Sequence, residues 1–257
     1  MKLIPIFFIL LAELAIGSGF FACFQDAKKI RRSFFEFNAA FAAVIFLIIS
    51  LWQLPQLSLF GLCFLFAGGS FWSFCREHFV RGKIFLKLSG LTGLAFGLYT
   101  LADGSGLFRS VPGSLMWLFL LQMAAGAFLL GGVHGAMVLG HWYLLMRDLD
   151  FSHLRRASIL LGALIAARAL LVLLSISFIR YSDPLFAEAF VAPLLDPNQN
   201  LFFFVMRLFW GLALPGALAV MIYRCARSGS NQSATGLLYL AEVSVLIGET
   251  LAVYLKI

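Results

Sequence analysis

The sequence predicts an all-α, polytopic integral membrane protein: one transmembrane domain over residues 1–257, built as an eight-helix bundle with both termini on the non-cytoplasmic side. Three observations lead there: the composition, the length of the apolar runs and the alternation of charge between them. Hydrophobic residues make up 62% of the chain and charged residues 12%, against roughly 25% charged in soluble domains. Mean hydropathy is +0.97. Several apolar runs reach the ~20 residues that cross a hydrocarbon core of about 30 Å as helix. They are continuous rather than alternating, which selects helices over the strands of a membrane barrel.

The opening run, "MKLIPIFFILLAELAIGSGFFACF", reads as a retained first helix, Leu3 to Phe24. A cleaved signal would carry more than Lys2 as its positive flank, would lack an internal charge such as Glu13 and would end in a small-residue A-x-A site. "FFAC" also lacks the aliphatic residue of a lipoprotein box. Further spans follow at Asn38 to Leu54, Leu57 to Cys75, Ile84 to Ala102, Ser114 to Met146, Ala157 to Ile179, Leu201 to Tyr223 and Ala234 to Leu255. The proline of "LPQLS" predicts a tight turn between the second and third. The fifth run is long, about 33 residues or roughly 50 Å of helix. It is expected to be one tilted helix, because splitting it would invert every later loop.

Loop charge sets the orientation. "DAKKIRRSFFEF", "REHFVRGK", "RDLDFSHLRR" and "RCARSGSNQS" are basic, whereas "LPQLS", "DGSGLFRSVPG" and "RYSDPLFAEAFVAPLLDPNQN" hold only Arg109 and Arg180. By the positive-inside rule the basic loops are cytoplasmic. The formal charge of +7 is thereby explained by topology, and no nucleic-acid partner is called for. The expected surroundings are membrane lipids, in a bacterial cytoplasmic membrane. Loops this short put any function inside the bilayer or at its surfaces.

Ionisable groups within spans cost about 2.5–3.5 kcal/mol each on insertion scales, so each is a candidate functional position and is expected to face a partner rather than lipid. They are Glu13 in span one, Arg168 in span six, Arg207 in span seven, and Glu242 and Glu249 in span eight, joined by His134 and His141 in span five. Counting from the loop ends puts Arg207 and Glu249 in the outer half, Glu13, Arg168 and His134 near the middle, and Glu242 and His141 towards the inside. The result is a polar ladder. Glu242 and Glu249 are seven residues apart, as are His134 and His141, so each pair shares a helix face about 10 Å apart along the axis. A bis-histidine haem takes its ligands from facing helices, so the same-face histidines argue against that ligation and no haem is predicted, with a His/Met or five-coordinate haem left open. E-x-x-H and H-E-x-x-H are absent, and the four cysteines form no C-x-x-C pair; neither a metal site nor a disulfide framework is predicted. Buried ion pairs that hold the bundle together explain the charged residues as well as a proton route does. Gly126, Gly131, Gly132, Gly135 and Gly140 predict close helix approach along span five.

The last span, with "VSVLIGE" ending at Glu249, resembles the final helix of the NrfD and DMSO-reductase type membrane anchor subunits. The "AELAIGSGFFA" of span one is similar to the glycine-containing first helix of that group. The resemblance implies a bundle that exchanges electrons with quinol near one membrane face and docks an iron–sulfur subunit, with Glu249 as a quinol-side proton acceptor; the partners expected of such a subunit are iron–sulfur or haem proteins. The H-L-G-x-P-x-R-like stretch of that family has no counterpart here, where "FWSFCREHFVRGK" stands instead. The expectation is a membrane subunit of a redox complex, either quinol-reacting or non-catalytic, with quinone as cofactor. Two other readings stay open: a proton-coupled carrier of a small solute or ion, and a structural or assembly subunit. "ALPGA" in span seven is a break of the kind carriers use.

Overall fold

Every described element is helical in the computed structural model, which describes residues 3–26, 29–52, 57–102, 112–145 and 151–256. In chain order they are α1 (Leu3–Phe24), α2 (Arg32–Trp52), α3 (Leu57–Cys75), α4 (Phe79–Ala102), α5 (Met116–Leu145), α6 (Ser152–Ser182), α7 (Pro184–Leu195), α8 (Leu201–Leu208), α9 (Leu214–Arg227) and α10 (Asn231–Leu255). A 3-10 turn, Gly113–Leu115, leads into α5. Helix is the physical answer to an apolar run, since a backbone placed in lipid must satisfy its own hydrogen bonds.

Among the described residues, six segments are long and apolar enough to cross a membrane: Ile6–Phe24, Arg32–Trp52, Gly113–Leu145, Ser152–Ser182, Leu201–Arg227 and Asn231–Leu255. Their outward faces are apolar as well. Leu170, Leu173, Leu174 and Phe178 stand exposed along α6, and Val220 and Met221 along α9. Contiguous apolar surface on this scale is incompatible with water and suits lipid. The chain is a membrane protein.

The helices form two rings of four. In the first, α1 packs on α2, α2 on α3, α3 on α4, and α4 returns to α1. In the second the same cyclic order runs through α5, α6, the α8–α9 rod and α10, which closes on α5. The rings join along α1 and α5. At their crossing Gly17 lies against Gly131 and the Ala127 carbonyl, so close that a Cβ on either glycine would strike the opposing backbone. Small residues permit that approach, and dispersion between two backbones replaces the hydrophobic drive that lipid does not supply.

As expected, the fifth run is one uninterrupted helical segment from Gly113 to Leu145. Several boundaries differ from expectation. Five segments extend into what reads as basic loop: α2 starts at Arg32, α4 at Phe79, α6 at Ser152 and α10 at Asn231, and α9 ends at Arg227. Hydropathy locates the lipid-immersed part of a helix, whereas its terminal turns continue into the headgroups on backbone hydrogen bonds and local ion pairs. Arg32–Glu36 at 2.8 Å is one such i,i+4 pair. The expected outer loop from Arg180 to Asn200 contains α7. There the Asp183 carboxylate caps the Phe186 N–H at 3.0 Å, and Pro184 occupies the first turn. The turn at "LPQLS" and most of "DGSGLFRSVPG" lie outside the described residues.

Between α8 and α9 the rod passes through one π turn, Phe209–Ala213, where the Leu214 N–H reaches the Phe209 carbonyl. Pro215 accounts for it. In an unbroken α-helix its ring would press on the Gly211 carbonyl, and widening the turn relieves the clash. In the wider register the Trp210 carbonyl faces Pro215, which has no N–H to give. Ser244 of α10 donates to that carbonyl at 2.7 Å instead. Ser244→Ala is expected to leave it unsatisfied at a cost of about 1–3 kcal/mol, read as a lowered unfolding midpoint of the purified protein in detergent.

Candidate functional site

The second ring encloses a cluster of charges, with one further carboxylate supplied by α1. Glu249 on α10 lies at its centre and is fully buried. Arg168 of α6 approaches it fork to fork: Nη2 donates to Oε2 at 2.8 Å and Nε to Oε1 at 3.3 Å. Arg207, in the last turn of α8 and also fully buried, donates through Nη2 to Oε1 at 3.4 Å. Bidentate, charge-assisted bonds of this kind are the strong ones, and in lipid nothing competes for them. The Nε and Nη1 of Arg207 have no hydrogen-bond partner.

The other end of the Arg168 guanidinium is held by Gln122 on α5. Nη1 donates to the Gln122 carbonyl at 2.8 Å and to its side-chain oxygen. The Gln122 amide nitrogen in turn donates to Ser175 Oγ at 2.6 Å and to the Leu171 carbonyl at 3.2 Å, which fixes the amide orientation. Gln122 and Ser175 are therefore part of the site, although neither carries a charge that marks it. The usable signal was an amide standing alone in the apolar run "WLFLLQMAAG".

Glu13 completes the cluster from α1. Gly126 on α5 makes room for it: a Cβ there would lie 2.9 Å from both Glu13 Oε1 and Glu249 Oε2. The two carboxylates thus share one gap in the helix wall. Glu13 is 3% exposed and its Oε2 has no hydrogen-bond partner. It also lines a narrow cleft of about 20 Å³ with Gln122, Arg168, Val253 and Lys256, space enough for a water molecule. Two arginines and Glu249 leave one positive charge, which an ionised Glu13 balances and a protonated one does not.

A second polar station lies about two turns along α10 from Glu249, roughly 10 Å away. His134 of α5 meets Glu242 there, Nδ1 to Oε1 at 2.7 Å. The imidazole stacks on Phe41 with ring centres 4.5 Å apart, and its Nε2 is buried without a partner. Glu242 keeps 20% of its side chain exposed. One stage further on, Tyr239 Oη and His141 Nδ1 stand 3.4 Å apart at an exposed position. Both histidines share the face of α5 that meets α10, as their spacing predicts.

The arrangement corrects the expected ladder. Arg207 and Glu249 do not stand above Glu13 and Arg168; all four converge at one level, and His134 belongs with Glu242. Counting residues ranks Cα positions, but arginine and glutamate side chains reach across a full turn, so groups from different depths meet.

These features define a class: an all-helical membrane protein with a dense internal cluster of paired charges. No protein-family model, curated protein or solved structure matches the chain.

Proposed function

We propose that this chain is a proton-handling membrane subunit of a redox complex, with Glu13 as the group that takes up and releases the proton. The carrying observation is the asymmetry of the two clustered carboxylates. Glu249 is held by two arginines, whereas Glu13 has an unpartnered oxygen beside a water-sized cleft. The charged groups around Glu13 are Glu249 from α10, Arg168 from α6, Arg207 from α8 and Lys256 in the lining of the cleft. A proton on Glu13 removes the charge that balances the second arginine, so uptake at Glu13 favours release elsewhere. The Glu242–His134 pair offers the next acceptor, with Tyr239 and His141 at the exposed end.

Quinone is the redox partner in this reading, because quinol oxidation and quinone reduction both exchange protons and call for a carboxylate beside a cationic group. The likeness to NrfD and DMSO-reductase type anchors supports it. In the same reading α3 and α4 complete eight spans, the four basic loops are cytoplasmic by the positive-inside rule, both termini are outside, and the membrane is a bacterial cytoplasmic one. The cleft at Lys256 then opens outward and His141 inward.

One observation favours a second reading, a proton-coupled carrier: the rod that bears Arg207 is interrupted by a π turn beside the cluster. A single experiment separates them. The protein is purified with whatever subunits accompany it, its quinone content is analysed, and proton uptake is followed with a pH dye in proteoliposomes while quinone is reduced by an added electron donor. Glu13→Gln is expected to slow proton uptake about 10²-fold, the lower range for loss of a general acid–base group. Equal uptake by the variant overturns the role of Glu13. Uptake that needs a solute gradient rather than quinone reduction assigns the protein to the carriers.

A further inference from the structure

We infer that the groove between α6 and the α8–α9 rod is a binding site for an anionic phospholipid, with one acyl chain in the groove and the phosphate held by arginines at its end. This inference is independent of the proton reading. The groove has a volume of about 610 Å³ and runs between Ser158, Gly162 and Ala169 on α6 and Leu208, Gly216 and Tyr223 on the rod.

Its two ends differ. Ser158 and Tyr223 mark one end, near the start of α6 and the finish of α9. Arg155 and Arg156 lie within one turn before Ser158, and Arg224 and Arg227 within about one turn after Tyr223. All four are exposed, and among the described residues no carboxylate pairs with them. Basic pockets at the mouth of an interhelical groove are the recognised geometry for lipid phosphate. The other end, at Ala169 and Leu208, is apolar. The neighbouring Arg168 and Arg207 are turned inward to Glu249 and are 2% and 0% exposed.

Length and polarity then choose the occupant. Ser158 and Ala169 are eleven residues apart, roughly 16 Å of helix, which matches one leaflet of a hydrocarbon core about 30 Å thick. A spanning partner helix would need a seam along the full thickness. A quinone ring entering the deep end would find no donor for its carbonyls. An acyl chain needs none, and its phosphate sits where the arginines are.

The test uses the purified protein in mild detergent with phosphatidylglycerol or phosphatidylcholine of the same chains, read by native mass spectrometry. Gly162→Leu is the groove-filling variant: a Cβ at Gly162 meets nothing within 4 Å, so the new side chain enters open space rather than protein. Arg155→Gln and Arg224→Gln remove the phosphate contacts. The expected result is a phosphatidylglycerol adduct that phosphatidylcholine does not replace. It should weaken about fivefold for each arginine removed and vanish in Gly162→Leu, with the lipid-free unfolding midpoint preserved. Equal retention of the two lipids, or an undiminished adduct in Gly162→Leu, overturns the site. So does a quinone or a polypeptide that co-purifies with the wild type and is lost from Gly162→Leu in place of the lipid.

Discussion

Glu249→Ala is expected to destabilise the protein by about 3–5 kcal/mol, the cost of stripping a buried charge of its partner, and here two arginines lose theirs at once. Arg168 would keep Gln122. Arg207 would keep nothing, since Glu249 accepts its one hydrogen bond and its Nε and Nη1 already lack partners. The measurement is the thermal unfolding midpoint in detergent, with the folded fraction followed by size exclusion. Glu249→Gln tests charge apart from shape, because the amide can still accept but cannot neutralise. Adding Arg207→Gln to Glu249→Gln removes the surplus positive charge, leaving Arg168 to be balanced by Glu13, and should restore at least half of the lost stability. If Glu249→Gln melts with the wild type, the cluster is not a set of ionised pairs. Glu13→Gln also leaves one positive charge unbalanced, but it breaks none of the hydrogen bonds that hold Arg168 and Arg207 to Glu249, so it is expected to melt closer to the wild type than Glu249→Gln does. A stability split between the two glutamates would separate the structural carboxylate from the proton-exchanging one.

Much of this was legible in the sequence for a plain reason: ionisable residues in apolar runs are rare, and Glu13, Arg168, Arg207, Glu242, Glu249, His134 and His141 stand out without any alignment. Their convergence was not legible. Whether α8 and α10 bring Arg207 to Glu249 depends on the packing of Gly248 against Gly211, where a Cβ on Gly248 would run into the backbone of the π turn. That contact is set by helix rotation, which apolar periodicity does not define in a helix surrounded by lipid and protein. The π turn had its cause in view at Pro215, yet the consequence, a carbonyl needing Ser244, requires knowing which helix lies alongside. For α7 the signal was present in Asp183-Pro184, an N-cap followed by proline in the first turn, and the charged and proline-rich flanks masked it.

The two rings put the greatest geometric demand on Gly17. Replacing it by valine is expected to cost about 3 kcal/mol, the upper range for overpacking, because the obstacle is backbone and cannot swing aside. A Cβ at Gly17 meets the Ala127 carbonyl and the Gly131 Cα, so α1 must move away from α5 along the whole seam. Glu13 is one turn from Gly17 and reaches its gap beside Gly126 only while that seam is closed. Gly17→Ala, a smaller wedge, should therefore slow proton uptake more than it lowers the unfolding midpoint. The control is Gly162→Ala: the added methyl meets nothing within 4 Å, and loss of a helical glycine is worth up to about 1 kcal/mol of added stability. Unfolding midpoints of the three proteins in one detergent read out the contrast. Were Gly17→Val to melt with Gly162→Ala, the close crossing of α1 and α5 would be wrong, and with it the means by which a carboxylate on the first ring reaches the arginines of the second.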